Sequence, residues 1–320
     1  MELTNPKRSD IIVCEISGRR PGTSAARPTE ALGSRGLDFV IISNDSSGYI
    51  TDYPIVNVPE SFQADFCRRN QVQRIGWQAP CNRAYAIEYA RARGYRYCLQ
   101  VDDNIESLSI AVMGEKESGG RRRELRFSEP KEDLLAVFAD VMIAVLKHSN
   151  AGLVGPAEAG IIPSPKLLKE VVVWFMFTID LERCAGIEFH GGVCDDMDYE
   201  LKLNRAGIPQ AKISCLLAQK AWPKGDVTGN RQFYRDLDDE FPAVMRRIYS
   251  DVYTPVRKYR RNAAGDGVES FWGHRLRYKR AGLFVDDPDA LAKDIAAAIS
   301  RLPQQKVPDR CAIRQSPARN

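Results

Sequence analysis

Short apolar runs alternate with amphipathic and polar stretches along most of this chain. Ile11-Ile-Val-Cys-Glu-Ile16 reads as a strand that runs into the loop Ser17-Gly-Arg-Arg-Pro-Gly22. Pro28 to Arg35 reads as a short helix, and Asp38-Phe-Val-Ile-Ile-Ser43 as a second strand that ends at Asn44-Asp45. Tyr53 to Val58 is a third strand, bounded by prolines. Trp77 to Arg93 carries Ala84, Ile87 and Ala90 or Arg91 near helical spacing and is stopped by Gly94. Tyr95 to Val101 is a strand that ends abruptly in Asp102, Asp103 and Asn104. Gly114 to Pro130, charged and glycine-containing, reads as a mobile loop.

Beyond it the pattern predicts a helix over Lys131 to His148 and strands over Ala151 to Pro156 and Val171 to Ile179. A helix over Asp195 to Ala206 is closed by Gly207, and a strand follows from Gln210 to Leu217. After Trp222-Pro223 the pattern changes. Asp236 to Asp251 reads as a helix, a basic-aromatic segment follows, and an alanine-rich helix spans Pro288 to Leu302. The tail from Pro303 is polar and reads as disordered. Strands alternating with helices predict an α/β domain with a largely parallel sheet. Such sheets bind ligands at the carboxyl ends of their strands, where both Asn44-Asp45 and Asp102-Asp103 fall.

Composition narrows the class without naming it. The chain has 320 residues, 44% hydrophobic and 28% charged, which is ordinary globular usage. No apolar run reaches membrane-span length, and the first residues lack a signal-peptide core, so a cytoplasmic protein is expected. None of the eight cysteines lies in a CxxC pair, and there are three histidines. Buried thiols are therefore expected rather than structural zinc, disulfides or a His-rich metal site. The net charge of +4 says little, but its distribution says more. Between Asp251 and Arg280 there are eight Lys/Arg against three Asp/Glu, interleaved with Tyr253, Tyr259, Phe271, Trp272 and Tyr278. That pattern suits contact with phosphate backbones and stacking on bases. A solvated basic segment packed by its own aromatics fits it equally.

Three familiar fingerprints are absent: GxxxxGK, GxGxxG after the first strand, and GxSxG. What remains is two acidic clusters. Asp102-Asp103-Asn104 ends a strand, and a strand that delivers oxygen ligands suits Mg²⁺ or Mn²⁺ on a diphosphate. The second is His190-Gly-Gly-Val-Cys-Asp195-Asp196-Met-Asp198-Tyr-Glu200. There Gly191-Gly192 permits close backbone approach, and the aspartates either cap a helix or present a base to a pocket.

These two clusters, in this order, resemble the GT-A glycosyltransferases, over roughly Ile11 to Lys220. The matching pieces are the first strand with Ser17-Gly-Arg-Arg20, Asn44-Asp45, the Arg74…Asn82-Arg83 helix, Val101-Asp-Asp-Asn104 and Gly191-Gly…Asp195-Asp196…Gly207. More narrowly, Arg74 to Asn82-Arg83 together with Gly94-Tyr-Arg-Tyr-Cys-Leu-Gln-Val-Asp-Asp-Asn-Ile105 is similar to the TET/JBP-associated glycosyltransferases. Those are largely phage-encoded and act on hydroxymethylated pyrimidines in DNA.

The resemblance implies a GT-A-like (Rossmann-like) mixed, mostly parallel sheet flanked by helices. It implies a catalytic domain over 1–225, followed by a helical, basic-aromatic region over 226–302 and a tail over 303–320. It implies sugar transfer from a nucleotide sugar, with a UDP-sugar expected, to a hydroxyl acceptor, with modified DNA expected. The divalent metal would sit on Asp102 and Asn104, or Asp103. Arg74 and Arg83 would contact phosphate, and Ser17, Arg19 and Asn44-Asp45 would border the nucleoside. Trp222 is the best placed of the four tryptophans to stack on a sugar or base. Asp195 or Asp196 would deprotonate the acceptor if the reaction inverts. Many GT-A enzymes add a late histidine as third metal ligand. Here Gln219-Lys-Ala-Trp-Pro-Lys-Gly has none, so Lys220 or Lys224 stands as the alternative charge on the diphosphate. Two further readings are a nucleotidyltransferase of related α/β design and a non-catalytic nucleic-acid-binding protein.

Overall fold

A computed structural model describes residues 10–18, 36–71, 78–115, 121–127, 131–158, 166–190, 195–220, 240–261, 267–277 and 279–302. Its centre is a 10-stranded sheet in the order β3-β2-β1-β4-β9-β7-β10-β5-β6, with β8 against β10. The strands are β1 (Ile11–Ser17), β2 (Asp38–Ser43), β3 (Ile55–Asn57), β4 (Tyr97–Asp102), β5 (Ile105–Glu115) and β6 (Arg121–Phe127). They continue with β7 (Leu153–Glu158), β8 (Leu168–Lys169), β9 (Met176–Asp180) and β10 (Gln210–Lys220). β3, β2, β1 and β4 pair in parallel, as do β7 and β10. β9, β5 and β8 run against them. The expected mixed, mostly parallel α/β sheet is therefore present.

Helices cover both faces, which is why the strands read as near-continuous apolar runs. On β1, Ile11 and Val13 enter one core, with the helix α3 (Lys131–His148) and its residues Leu134, Phe138, Met142 and Val145. Ile12, Cys14 and Ile16 enter the other, with Phe66 of α1 (Glu60–Asn70) and Cys81, Ala86, Ile87 and Ala90 of α2 (Gln78–Ala92). Tyr199 and Leu203 of α4 (Asp195–Arg205) join that second core. The period-two alternation of a strand thus splits one sequence between two cores. Cys14, Cys81, Cys98 and Cys184 are free and buried, as the sequence suggested. Among the described residues, no helix is long and apolar enough to cross a membrane.

The structure corrects two expectations and adds one helix that the pattern did not predict. Gly114 to Pro130 is not simply a loop: β5 and β6 form an antiparallel pair that reaches Glu115 and Arg121. Charge obscured this, yet charged residues are normal on a sheet's last strand, where they block pairing with another chain. The helix α1 was not foreseen, although Asp65 with Arg68 and Arg69 at i+3 and i+4 is a helical spacing. The basic-aromatic segment, expected within a helical region, folds as β11 (Tyr253–Arg261) and β12 (Val268–Leu276), paired antiparallel. Its Val, Tyr, Phe and Trp positions favour strands. Two helices flank it, α5 (Glu240–Ile248) and α6 (Pro288–Ser300). α6 starts on an Asp287 side chain that accepts from Ala290 N, and lays Leu291, Ile295 and Ala298 into the core that α3 occupies.

Candidate active site

β1, β2, β4 and β10 all end at one edge of the sheet. Ile16 pairs with Asp102 and Ser17 with Ser43, so those ends lie side by side. The helices α2 and α4 begin there. This is where a parallel sheet offers its ligand crevice.

The centre of the edge is Asp102. Its Oδ1 accepts from Arg83 Nη2 at 2.5 Å, and its Oδ2 lies 2.5 Å from Lys220 Nζ. Arg83 also donates from Nε to Asp195 Oδ2 at 2.5 Å and from Nη1 to Gln100 Oε1 at 3.3 Å. Gln100 returns a bond to the Arg83 carbonyl, and Phe177 lies under the guanidinium, 5.0 Å away. Arg83 is buried, so all three nitrogens serve the protein. Burial alone would raise the Asp102 carboxyl, but Lys220 and Arg83 outweigh it and hold it below the usual carboxylate range.

Lys220 sits 5.0 Å over the Phe175 ring. Phe175 has φ 46°, unusual for a side chain of that size, in a tight turn where Met176 N donates to Trp174 O. Its carbonyl accepts from Asp102 N at 2.9 Å, so one strained residue fixes both partners of the Lys220–Asp102 pair.

The other half of the edge is a network around Ser17. Ser17 Oγ donates to Asp103 Oδ2 at 2.8 Å and lies 3.0 Å from the Tyr49 hydroxyl. Asn82 Nδ2 donates to the Ser17 carbonyl at 2.7 Å and to Asn44 Oδ1 at 3.2 Å. A side chain on Gly18 would come within 2.7 Å of Asn44 Oδ1, so glycine is what lets the chain pass there. Asp45 Oδ1 accepts from Ser47 N at 3.1 Å and shapes the turn after β2.

α4 opens on the second acidic cluster. Asp195 is buried and holds Arg83. Asp198 accepts from Lys202 at 2.9 Å, from His190 N at 3.2 Å and from the Tyr249 hydroxyl, so it ties the helix to its surroundings. Burial, then the adjacent Asp195, push the Asp196 carboxyl up to about 7, against the pull of Arg83 and Lys220. Arg83 and Lys220 are already paired with Asp195 and Asp102, so neither turns to Asp196.

The structure thus brings Ser17, Asn44, Arg83, Asp102, Asp103, Asp195, Asp196 and Lys220 to one edge. Arg19, Arg74, Trp222 and Lys224 lie outside the described residues, as do Gly191 and Gly192. The metal assignment to Asp102, Asp103 and Asn104 does not fit this arrangement. Both Asp102 oxygens already face cations, and Asp103 accepts from Ser17. Among the described residues the buried Asn104 Oδ1 has no hydrogen-bond partner, but it is one neutral oxygen, whereas Mg²⁺ or Mn²⁺ needs a set that includes carboxylates. Among the described residues, no three His, Cys, Asp or Glu side chains converge on a point. Gln100, Phe175 and Tyr49 were missed. Gln100 was the findable one, since a lone amide inside an apolar strand needs a buried partner.

No protein-family model matches this chain, and no curated protein matches it. Solved structures similar to it include the following two. One is a protein of Desulfovibrio desulfuricans G20 assigned as a nucleotide-diphospho-sugar transferase, 12% identical, with TM-score 0.32, covering 75% of this chain and 90% of that one. The other is CMP:2-keto-3-deoxy-manno-octonic acid synthetase complexed with CTP, 10% identical, with TM-score 0.34, covering 75% of this chain and 97% of that one. Likeness this slight fixes neither fold nor chemistry, which stand on the strand order and the side chains described above.

Proposed function

We propose that this protein is a glycosyltransferase that moves a sugar from a nucleoside-diphosphate sugar, a UDP-sugar in the first instance, to a hydroxyl acceptor. The observation that carries the reading is the Asp102–Arg83–Asp195 bridge, with Lys220 on Asp102 and Asp196 beside Asp195. It sets a cationic donor side next to an acidic acceptor side at the sheet edge where ligands bind.

In this reading Ser17, Asn44 and Asn82 border the nucleoside, and Lys220 turns from Asp102 to the diphosphate. Arg83, buried and fully engaged, positions Asp102 and Asp195 instead of touching phosphate. Of the two candidate bases, Asp195 is committed to Arg83, so Asp196 takes the acceptor proton. The acceptor oxygen bonds to the anomeric carbon as that carbon's bond to the β-phosphate oxygen breaks. The nucleoside diphosphate leaves with the electron pair, and the anomeric centre inverts. No step is assigned to a metal.

For the acceptor we propose a 5-hydroxymethylpyrimidine in DNA, supported by the basic-aromatic segment and the narrower resemblance. A base in a duplex must be flipped out to react. The test incubates the protein with hydroxymethylcytosine DNA and a panel of nucleotide sugars, then analyses the nucleosides by mass spectrometry. A hexose-shifted nucleoside is expected. Sugar appearing on other hydroxyl acceptors with DNA inert would overturn the acceptor. Pyrophosphate release from a nucleoside triphosphate, with no sugar transferred, would overturn the reaction class.

A further inference from the structure

The β11–β12 hairpin is a separate two-stranded sheet, yet it is built onto the helix that carries the acidic pair. Tyr253 at its base is buried with Met245, Tyr249 and the α4 residues Met197 and Leu201. The Tyr249 hydroxyl reaches Asp198, two residues after Asp196. The hairpin itself presents charge: Arg257, Lys258 and Arg275 are exposed on its strands, and the exposed Arg277, Lys279 and Arg280 follow the end of β12.

Register places these charges on both sides. Arg257 pairs with Trp272 and shares its face with Tyr259, while Lys258 and Arg275 fall on the opposite face. The Arg257 guanidinium stacks 4.7 Å over Trp272, and its Nε donates to Ser270 Oγ at 3.0 Å, so that cation is held flat and in place. A side chain on Gly273 would collide with the Lys258 stem, so glycine lets that lysine lie across the strand. Tyr259 is 71% exposed and Val268 is 70% exposed. Edge charge alone would serve to block pairing with another chain. A solvent-facing tyrosine on the same face as an ordered arginine is a surface for something anionic and stackable.

We propose that the hairpin is a docking surface for the phosphate backbone of duplex DNA. The major groove admits a two-stranded ribbon, and a ribbon cationic on both faces complements a groove walled by phosphates on both sides. The surface deepens the proposed acceptor and rests on that reading for its purpose. Binding itself does not require catalysis, so the two fail separately.

The test is fluorescence anisotropy of the full chain with a labelled duplex across a salt series. The triple variant Arg257→Glu, Lys258→Glu, Arg275→Glu is compared with the wild type. Circular dichroism and an unchanged thermal unfolding midpoint, neither of which needs a ligand, report that the variant is folded. We expect Kd to rise roughly ten-fold or more, and the log–log salt slope to flatten by about 0.9 for each phosphate that is no longer neutralised. Tyr259→Ala, on an exposed side chain, should weaken binding with the slope unchanged. Asp102→Asn should leave DNA binding intact. Unaltered affinity in a folded triple variant overturns the proposal. So does binding of the wild type to phosphatidylserine vesicles with no affinity for DNA, which would make the hairpin a lipid-facing element. Absence of any sugar transfer alongside hairpin-dependent DNA binding would overturn only the catalytic reading.

Discussion

Arg83 Nε donates to Asp195 Oδ2 at 2.5 Å across 112 residues of sequence, and so joins the first turns of α2 to the first residue of α4. The same guanidinium holds Asp102 at the end of β4. Removing one partner of a buried ion pair leaves an uncompensated charge and costs about 3–5 kcal/mol. Arg83→Met should therefore lower stability by that order in urea unfolding. Arg83→Met with Asp195→Asn should cost less than the two single changes together, because the pair is coupled. Additive costs in the cycle would mean that the two side chains do not support each other.

The acidic pair sets a pH profile. With its carboxyl pushed up to about 7, Asp196 is protonated in the folded protein below that pH and cannot accept the acceptor's proton. Under the proposed mechanism kcat/KM should rise about ten-fold per pH unit below 7 and level off above it. Protonation of Asp196 also favours the fold. The folded state holds this proton more tightly than the unfolded chain, so the contribution is full below about 3.9 and is lost as pH rises through about 7. Asp102 has the opposite sign: its lowered carboxyl stabilises above about 3.9, and that contribution is lost on acidification. Asp196→Asn should abolish transfer while leaving the donor-induced thermal shift in place. An unchanged rate profile in that variant would remove Asp196 as the base.

Much of this edge is legible in the chain, because it is built from strand ends and helix starts that local pattern marks. Asp102 follows an apolar run, and Asp195 opens an amphipathic helix ended by Gly207. What pattern does not mark is who partners whom. Arg83 reads as a phosphate contact, and its burial between Asp102 and Asp195 follows from where α2 packs on β1 and β4, far along the sequence. Lys220 stood in the sequence only as a substitute for a missing histidine. The structure pairs it with Asp102, the residue first read as a metal ligand. The two hairpins were hidden for one physical reason: charged residues lower hydrophobicity without lowering strand-forming ability at an edge. Phe175 carries no signal, since its positive φ is set by the turn it occupies.

Lys220 decides between a metal and a side chain as counter-charge. Its ammonium lies 2.5 Å from Asp102, and in the proposed mechanism it turns to the diphosphate. Donor-induced thermal stabilisation should therefore survive excess EDTA. Lys220→Gln should raise the donor KM by roughly ten- to a hundred-fold, the value of about 1.5–3 kcal/mol for one charge-assisted hydrogen bond. Loss of donor stabilisation in EDTA, with recovery on Mn²⁺, would return the site to a metal.

Gly155 on β7 tests whether the strained Phe175 turn sets the position of Lys220. An added Cβ there would run into Val173 Cγ1 and the Met176 carbonyl oxygen. The first is a side chain in a filled core, and the second is backbone immediately after Phe175. Neither gives way cheaply, so Gly155→Ala should destabilise by about 1–3 kcal/mol, the cost of overpacking. The displaced Met176 carries Phe175 with it, and Phe175 holds both the Asp102 amide and the face under Lys220. A loss of donor affinity should therefore accompany the loss of stability. A core control elsewhere, Ile295→Val on α6 at about 0.5–1.5 kcal/mol, should lower melting without touching the donor KM. Equal effects of the two variants on KM would show that the Phe175 turn is only part of the core.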